Sequence, residues 1–192
     1  VLDTAAMDDI RDAPRAAFQS AVERLKIAGA SADHIEVPEI HDALALTGCL
    51  YTAEAYGLWR DVIEANPDAM YGEILARFRL GKNFSGPDYV AAWAALDAAR
   101  AAYDVATAGY DAVLLPTAPI LPPNLDRLNS DHDYYVTENL LALRNTRIAN
   151  LMGLCALSLP TGVPSCGVML MAPPNTEEAL LRIGSAAQQA LS

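Results

Sequence analysis

Lysine is almost missing from this chain: Lys26 and Lys82 are the only two among 192 residues. Basic side chains total 13 against 24 acidic ones, a net charge of −11. Phosphate backbones are bound by clustered Lys and Arg, so this balance excludes nucleic acid as a partner. It also excludes an anionic membrane surface. Cysteine is scarce: Cys49, Cys155 and Cys166 are an odd number without close pair spacing. Neither a disulfide framework nor a zinc ligand set is suggested, and a reducing cytoplasm is the expected compartment. His34, His41 and His132 show no metal-ligand spacing. Asp131-His132-Asp133 reads as a solvated loop rather than a cation site. No apolar run reaches membrane-spanning length. Val1-Leu-Asp-Thr4 lacks the basic start and apolar core of a signal peptide, and the chain does not open on Met, which points to an internal start.

A hydrophobic fraction of 53% with 19% charged residues is that of a globular protein, and 192 residues predict a single domain. Phe18, Val22 and Leu25 share one face of a predicted helix over about residues 12–29, with Pro14 in its first turn and Gly29 as its stop. His34-Ile-Glu-Val37 alternates as a short strand ended by Pro38, in a unit whose preceding strand is expected before Val1. A helix over about 40–65 is expected to break at Asn66-Pro67, and another to cover about 69–80. Ser85-Gly-Pro-Asp88 opens a third, with Tyr89, Trp93, Leu96 and Tyr103 as its apolar stripe. Ala112–Leu115, Ala156–Leu159 and Val168–Met171 read as short buried strands. Residues 124–136 are polar and turn-rich, a loop or lid, before a helix over 140–151. A last helix is expected from Asn175, with Glu178 as capping-box partner. Alternating strands and helices make the class α/β.

Two segments carry a more specific signal. The first is Tyr110-Asp-Ala-Val-Leu-Leu-Pro-Thr-Ala-Pro119. The second is Arg144-Asn-Thr-Arg-Ile-Ala-Asn-Leu-Met-Gly-Leu-Cys-Ala-Leu-Ser-Leu-Pro-Thr-Gly162. With Gly167-Val-Met-Leu-Met-Ala-Pro173 and Glu177-Glu-Ala-Leu-Leu181 in the same order, the chain resembles the C-terminal part of the amidase signature family. The middle helices match loosely, through the spacing of Gly81, Ser85 and Tyr89.

The resemblance implies a mixed β-sheet core flanked by helices, with the N-terminal strands missing. It implies hydrolysis of carboxamides by a Ser, a second Ser in a cis peptide and a neutral Lys, chemistry that needs no cofactor. Those residues have no counterpart here: there is no Gly/Ser-rich loop, and neither lysine sits in a matching context. The chain alone is therefore expected to be inactive. The connection Gly162–Gly167 is shorter than the family's and lacks its acidic residue. Three positions of the matching motifs are implied to approach the substrate: Thr117, Arg147 and Asn150. Arg147 could hold a carboxylate or amide carbonyl, or else serve as a helix cap or ion-pair partner; Asn150 could be a structural amide at a helix end.

The other reactive types read as structural. Lys26 falls on a polar helix face and Lys82 beside a helix-ending Gly. Cys166 lies between Ser165 and Gly167 without a nearby His, as a small buried residue, and Cys155 as core. Ser158 lies in a predicted buried strand without a glycine elbow. The expected partner is a small amide substrate. Self-association into a homodimer is expected of a sheet whose edge is left unpaired. Two alternatives stand beside this reading: an amidotransferase A-type subunit, and a non-catalytic α/β binding protein.

Overall fold

A computed structural model describes residues 1–192. Eight helices pack around a three-stranded antiparallel sheet: α1 (Asp12–Ile27), α2 (Glu39–Ala45), α3 (Thr47–Ala65), α4 (Gly72–Arg79), α5 (Gly86–Thr107), β1 (Val113–Pro116), α6 (Leu125–Ser130), α7 (His132–Met152), β2 (Cys155–Pro160), β3 (Gly167–Ala172) and α8 (Glu177–Ala190). The strand order is β1-β3-β2, with Leu115 opposite Met169 and Ser158 opposite Met169 from the other side. β2 is thus an edge strand.

Strand alternation divides the core in two. Val113, Leu115, Met169 and Met171 face α2, α5 and α7, where Ile40, Leu96, Tyr103 and Ile148 are buried. Val168, Leu170 and Leu159 face α1 and α8, against Phe18, Val22 and Leu180. α8 packs closely on β2 at Gly184, where a Cβ would meet the tip of the Leu157 side chain and turn it aside.

Leu2 pairs in parallel with Ile35 and its N–H donates to Leu114 O at 2.9 Å. That parallel pairing is a single isolated bridge, and the three strands of the sheet pair antiparallel throughout. The strand expected over 34–37 shrinks to that pairing. The helix expected over 40–65 divides at Leu46, where Thr47 Oγ1 donates to Leu44 O at 2.7 Å. The helix expected over 69–80 becomes 3-10 turns at Pro67–Ala69 and Leu80–Asn83 around α4.

The lid expected over 124–136 is helical. Asn124 Oδ1 accepts from Arg127 N at 2.9 Å and Asp131 Oδ1 from Tyr134 N at 3.0 Å. The polar turn formers are N-caps here. Nor is there a capping box at α8. Thr176 is its N-cap, without a side-chain cap bond, and the Glu178 carboxylate accepts from Arg182.

The capping box lies at α5. Ser85 Oγ accepts from Asp88 N at 3.2 Å, and Asp88 Oδ2 accepts from Ser85 N at 2.9 Å. Ser85→Ala is expected to cost about 1 kcal/mol. Thermal unfolding should then fall by about 2–4 °C; an unchanged midpoint would show the cap to be idle.

Candidate functional site

One sheet face is covered only in part. Val113, Leu115, Met169 and Met171 are buried under helices, but Ala156, Ser158 and Pro160 of β2, on the same face, are exposed. The buried strand expected at Ser158 is therefore open on this side. Thr117 follows β1, and its N–H donates to Gly167 O at 2.9 Å. Its Oγ1 lies 2.6 Å from Ser158 Oγ, so the two hydroxyls are hydrogen bonded. The bond passes over Gly167, where a Cβ would stand 2.7 Å from Thr117 Oγ1 and 3.0 Å from Ser158 Oγ. The missing side chain at Gly167 lets the pair form.

α7 carries the other candidates. Asn145 is fully buried, and its amide donates to Ala6 O at 3.1 Å and Pro116 O at 2.7 Å. Arg144 Nε donates to Asn145 Oδ1 at 3.1 Å, and Arg144 Nη2 to Ala6 O at 3.2 Å. Asn145 thus ties the N-terminal turn to the end of β1, one residue before Thr117. Arg147 is half-buried and makes neither a hydrogen bond nor an ion pair. Burial first, then the charge of Arg77, pushes its pKa down, and Tyr51 acts against both. The cap or ion-pair roles open to Arg147 from sequence are not the ones it plays.

Asn150, one turn further along α7, is exposed and lines a cleft of about 440 Å³ between α3, α5 and α7. Tyr51, Glu54, Trp59, Trp93 and Arg100 are among its other walls. Arg100 Nε donates to Leu151 O at 2.7 Å, and its guanidinium sits 5.4 Å from the centroid of the Trp93 ring. Thr117, Arg147 and Asn150 are not gathered in one contact. Arg147 and Asn150 share an α7 face, while Thr117 joins Ser158 on the sheet.

No nucleophile is prepared among the reactive types. Cys166 is buried in the β2–β3 turn and burial raises its thiol pKa, opposite to what a thiolate needs. Cys155 is half-buried on the α8 side of β2. Lys82 is held charged, its pKa raised by Tyr56 and then by Glu64, whose carboxylate lies 3.2 Å away. A lysine base requires the reverse shift. Lys26 faces Glu23 at 3.9 Å. The histidines each meet one carboxylate: His34 with Asp3, His41 with Asp8, and His132 with Glu73, all at 2.9 Å. What the structure offers at these positions is a cleft with aromatic walls, an unpaired arginine and a hydrogen-bonded pair of hydroxyls, from half-buried Thr117 and exposed Ser158.

The Amidase family model matches residues 1–181. The chain belongs to the amidase family. A 2-amino-5-chloromuconic acid deaminase of Comamonas testosteroni is 30% identical over 182 residues, covering 92% of this chain and 39% of the relative. The A subunit of a glutamyl-tRNA(Gln) amidotransferase from Natronomonas pharaonis is 27% identical over 210 residues, covering 95% of this chain and 49% of that protein. Among solved structures, Kluyveromyces lactis allophanate hydrolase superposes with a TM-score of 0.81 at 19% identity, covering 93% of this chain and 30% of that one. A 6-aminohexanoate cyclic dimer hydrolase does so with a TM-score of 0.79 at 19% identity, covering 99% and 45%. This amidase chain therefore spans less than half the length of these relatives, and its α/β architecture is a portion of theirs.

Ser158 reads as buried core in the amidase sequence, and Tyr51 carries no mark of a site there. A signal for the exposure of Ser158 is present: Cys155, Leu157 and Leu159 alternate with Ala156, Ser158 and Pro160, a half-exposed pattern. Tyr51 has no such signal, because its partners come from α5 and α7.

Proposed function

We propose that this chain is the C-terminal part of an amidase that hydrolyses carboxamides. In this reading the residues that perform acyl transfer lie upstream of Val1, and the present residues form one wall of the substrate pocket. The observation that carries it is the open stretch of sheet at Ala156, Ser158 and Pro160, which ends in the Thr117–Ser158 hydroxyl pair. An edge strand with an uncovered, partly apolar face is what remains when a neighbouring layer belongs to another segment. The coverage of 39% of the deaminase agrees in size with a segment of that kind.

In the complete protein a Ser attacks the amide carbonyl, with the cis-peptide Ser and a neutral Lys taking its proton. The tetrahedral intermediate expels the amine, and water then releases the acid. Thr117, Arg147 and Asn150 would bind rather than react. The relatives named as amidotransferase A subunits support a second reading, in which the ammonia is handed to a partner protein.

The test is ammonia release from a panel of aliphatic, aromatic and amino-acid amides, measured on this chain and on the uninterrupted product of its gene. The longer protein should hydrolyse at least one amide and residues 1–192 none. Turnover by residues 1–192 alone, or a native product that ends at the same length, would overturn the reading.

A further inference from the structure

We infer that one water molecule is built into the core of this protein, between the last turns of α5 and the ends of the three strands, and that the hydroxyl of Tyr103 holds it there. The inference is independent of the amidase reading and holds whether or not the chain takes part in amide hydrolysis.

The first observation is a polar atom that the protein itself does not satisfy. Tyr103 is 2% exposed, and its hydroxyl is the one buried side-chain polar atom that meets no partner within the chain. The other buried polar side chains are all bonded. Thr52 Oγ1 donates to Gly48 O at 2.6 Å and Thr161 Oγ1 to Cys166 O at 2.9 Å. The Asn145 amide donates to Ala6 O and Pro116 O, and Glu138 accepts from Arg11 at 2.6 Å. A hydroxyl taken out of water without a replacement partner destabilises the folded state, which is why buried tyrosines usually have one. Phenylalanine would fill the same space without that penalty. Burial, and then the charge of Asp104, pushes the Tyr103 pKa up, so the group keeps its proton and is a donor.

The second observation is a cavity of matching size beside that residue. Tyr103 lines a space of about 20 Å³ together with Asp104 and Thr107 of α5, Val113 at the start of β1, Met171 near the end of β3 and Leu154 just before β2. One water needs about 10–15 Å³, so the space takes a single molecule and excludes any larger ligand. Size alone would not hold it, because purely apolar cavities stay dry. Here the α5 side of the wall is polar. Tyr103 and Thr107 lie four residues apart on one helix face. Thr107 Oγ1 donates to Tyr103 O at 2.8 Å and keeps its lone pairs free to accept. The Asp104 carboxylate is a second acceptor on the same turn. The water accepts from the Tyr103 hydroxyl and donates to Thr107 and Asp104, about the three bonds that keep a buried water in place.

The test is a pair of crystal structures of the full-length protein, wild type and Tyr103→Phe, at a resolution that shows ordered water. The wild type should carry one solvent peak about 2.7–3.0 Å from Tyr103 Oη, and the Phe variant none. No peak in the wild type, or a peak that survives unchanged in the Phe variant, overturns the inference. Thermal unfolding of the same two proteins gives a second readout, and its sign separates the two cases. With the hydroxyl bonded to a water, Tyr103→Phe removes a satisfied group, and the midpoint should fall by about 1–4 °C. With the hydroxyl stranded, the same change removes a penalty, and the midpoint rises. A midpoint that rises or does not move therefore also overturns the inference.

Discussion

Replacing Asn145 with Ala should lower stability by about 3 kcal/mol, the sum expected for stranded buried carbonyls and a small cavity. For a domain of this size that is a fall of about 6–12 °C in thermal midpoint. Asn145 is fully buried, and its one amide group donates to Ala6 O and Pro116 O while its oxygen accepts from Arg144. Ala6 O keeps a second donor in Arg144, but Pro116 O loses its bond to α7. Asn145→Asp is the sharper probe. It preserves the shape and sets a carboxylate oxygen against two carbonyl oxygens, so the penalty at neutral pH should equal or exceed that of the Ala variant. Protonating the Asp restores an O–H donor. The Asp variant should therefore recover relative to the Ala variant as pH falls, in urea midpoints measured across the acid range. If the two variants track each other at every pH, the donor role of Asn145 is refuted. Because Pro116 precedes Thr117, either change should also loosen the Thr117–Ser158 pair before the fold itself is lost.

This clamp could not be read from the sequence, and the reason is distance along the chain. Asn145 belongs to a recognisable motif, but its two acceptors lie 139 and 29 residues away. Local signals fared better where one segment decides its own state. Val113–Pro116, Cys155–Pro160 and Gly167–Ala172 are short apolar runs between breakers, and they form the sheet. The Ser85–Asp88 box opens α5 as its spacing predicts. The failures came where one residue type serves two ends. Asn124 and Asp131 favour a turn and an N-cap alike, and only the contacts after them decide between a lid and two helices. Glu178 at the third position looked like a cap partner, yet Arg182 one turn on takes its carboxylate. Among candidate site residues, family motifs selected Thr117, Arg147 and Asn150. The neighbours that give each its chemical setting, Ser158, Arg77 and Tyr51, come from other elements and needed the fold to be found.

A Cβ at Gly81 is expected to be the most damaging added atom in the helical layer. Gly81 is buried in the 3-10 turn Leu80–Asn83, and a methyl there would overlap the Thr52 carbonyl oxygen, lie 2.7 Å from the Thr52 carbonyl carbon and 2.8 Å from Tyr56 Cβ. A clash with a flexible side-chain tip is relieved by rotation, as at Gly184 against Leu157. A clash with the backbone of α3 is relieved only by moving the turn. Gly81→Ala should therefore cost about 2 kcal/mol, the typical penalty of overpacking, and lower the thermal midpoint by about 4–8 °C. The damage has a direction. The turn is held to α3 by Arg79 and Lys82, which donate to Glu64, and these bonds, Arg79 first, pull the Glu64 carboxyl down to about 2. Pushing the turn away stretches those bonds and returns Glu64 toward an ordinary carboxyl. It also shifts α4, and with it Arg77. The Ala variant should therefore show a Glu64 carboxyl that titrates at higher pH by nuclear magnetic resonance, together with the lower midpoint. A lower midpoint with Glu64 unmoved would mean that the strain is absorbed within α3, and that the turn and Arg77 stay in place.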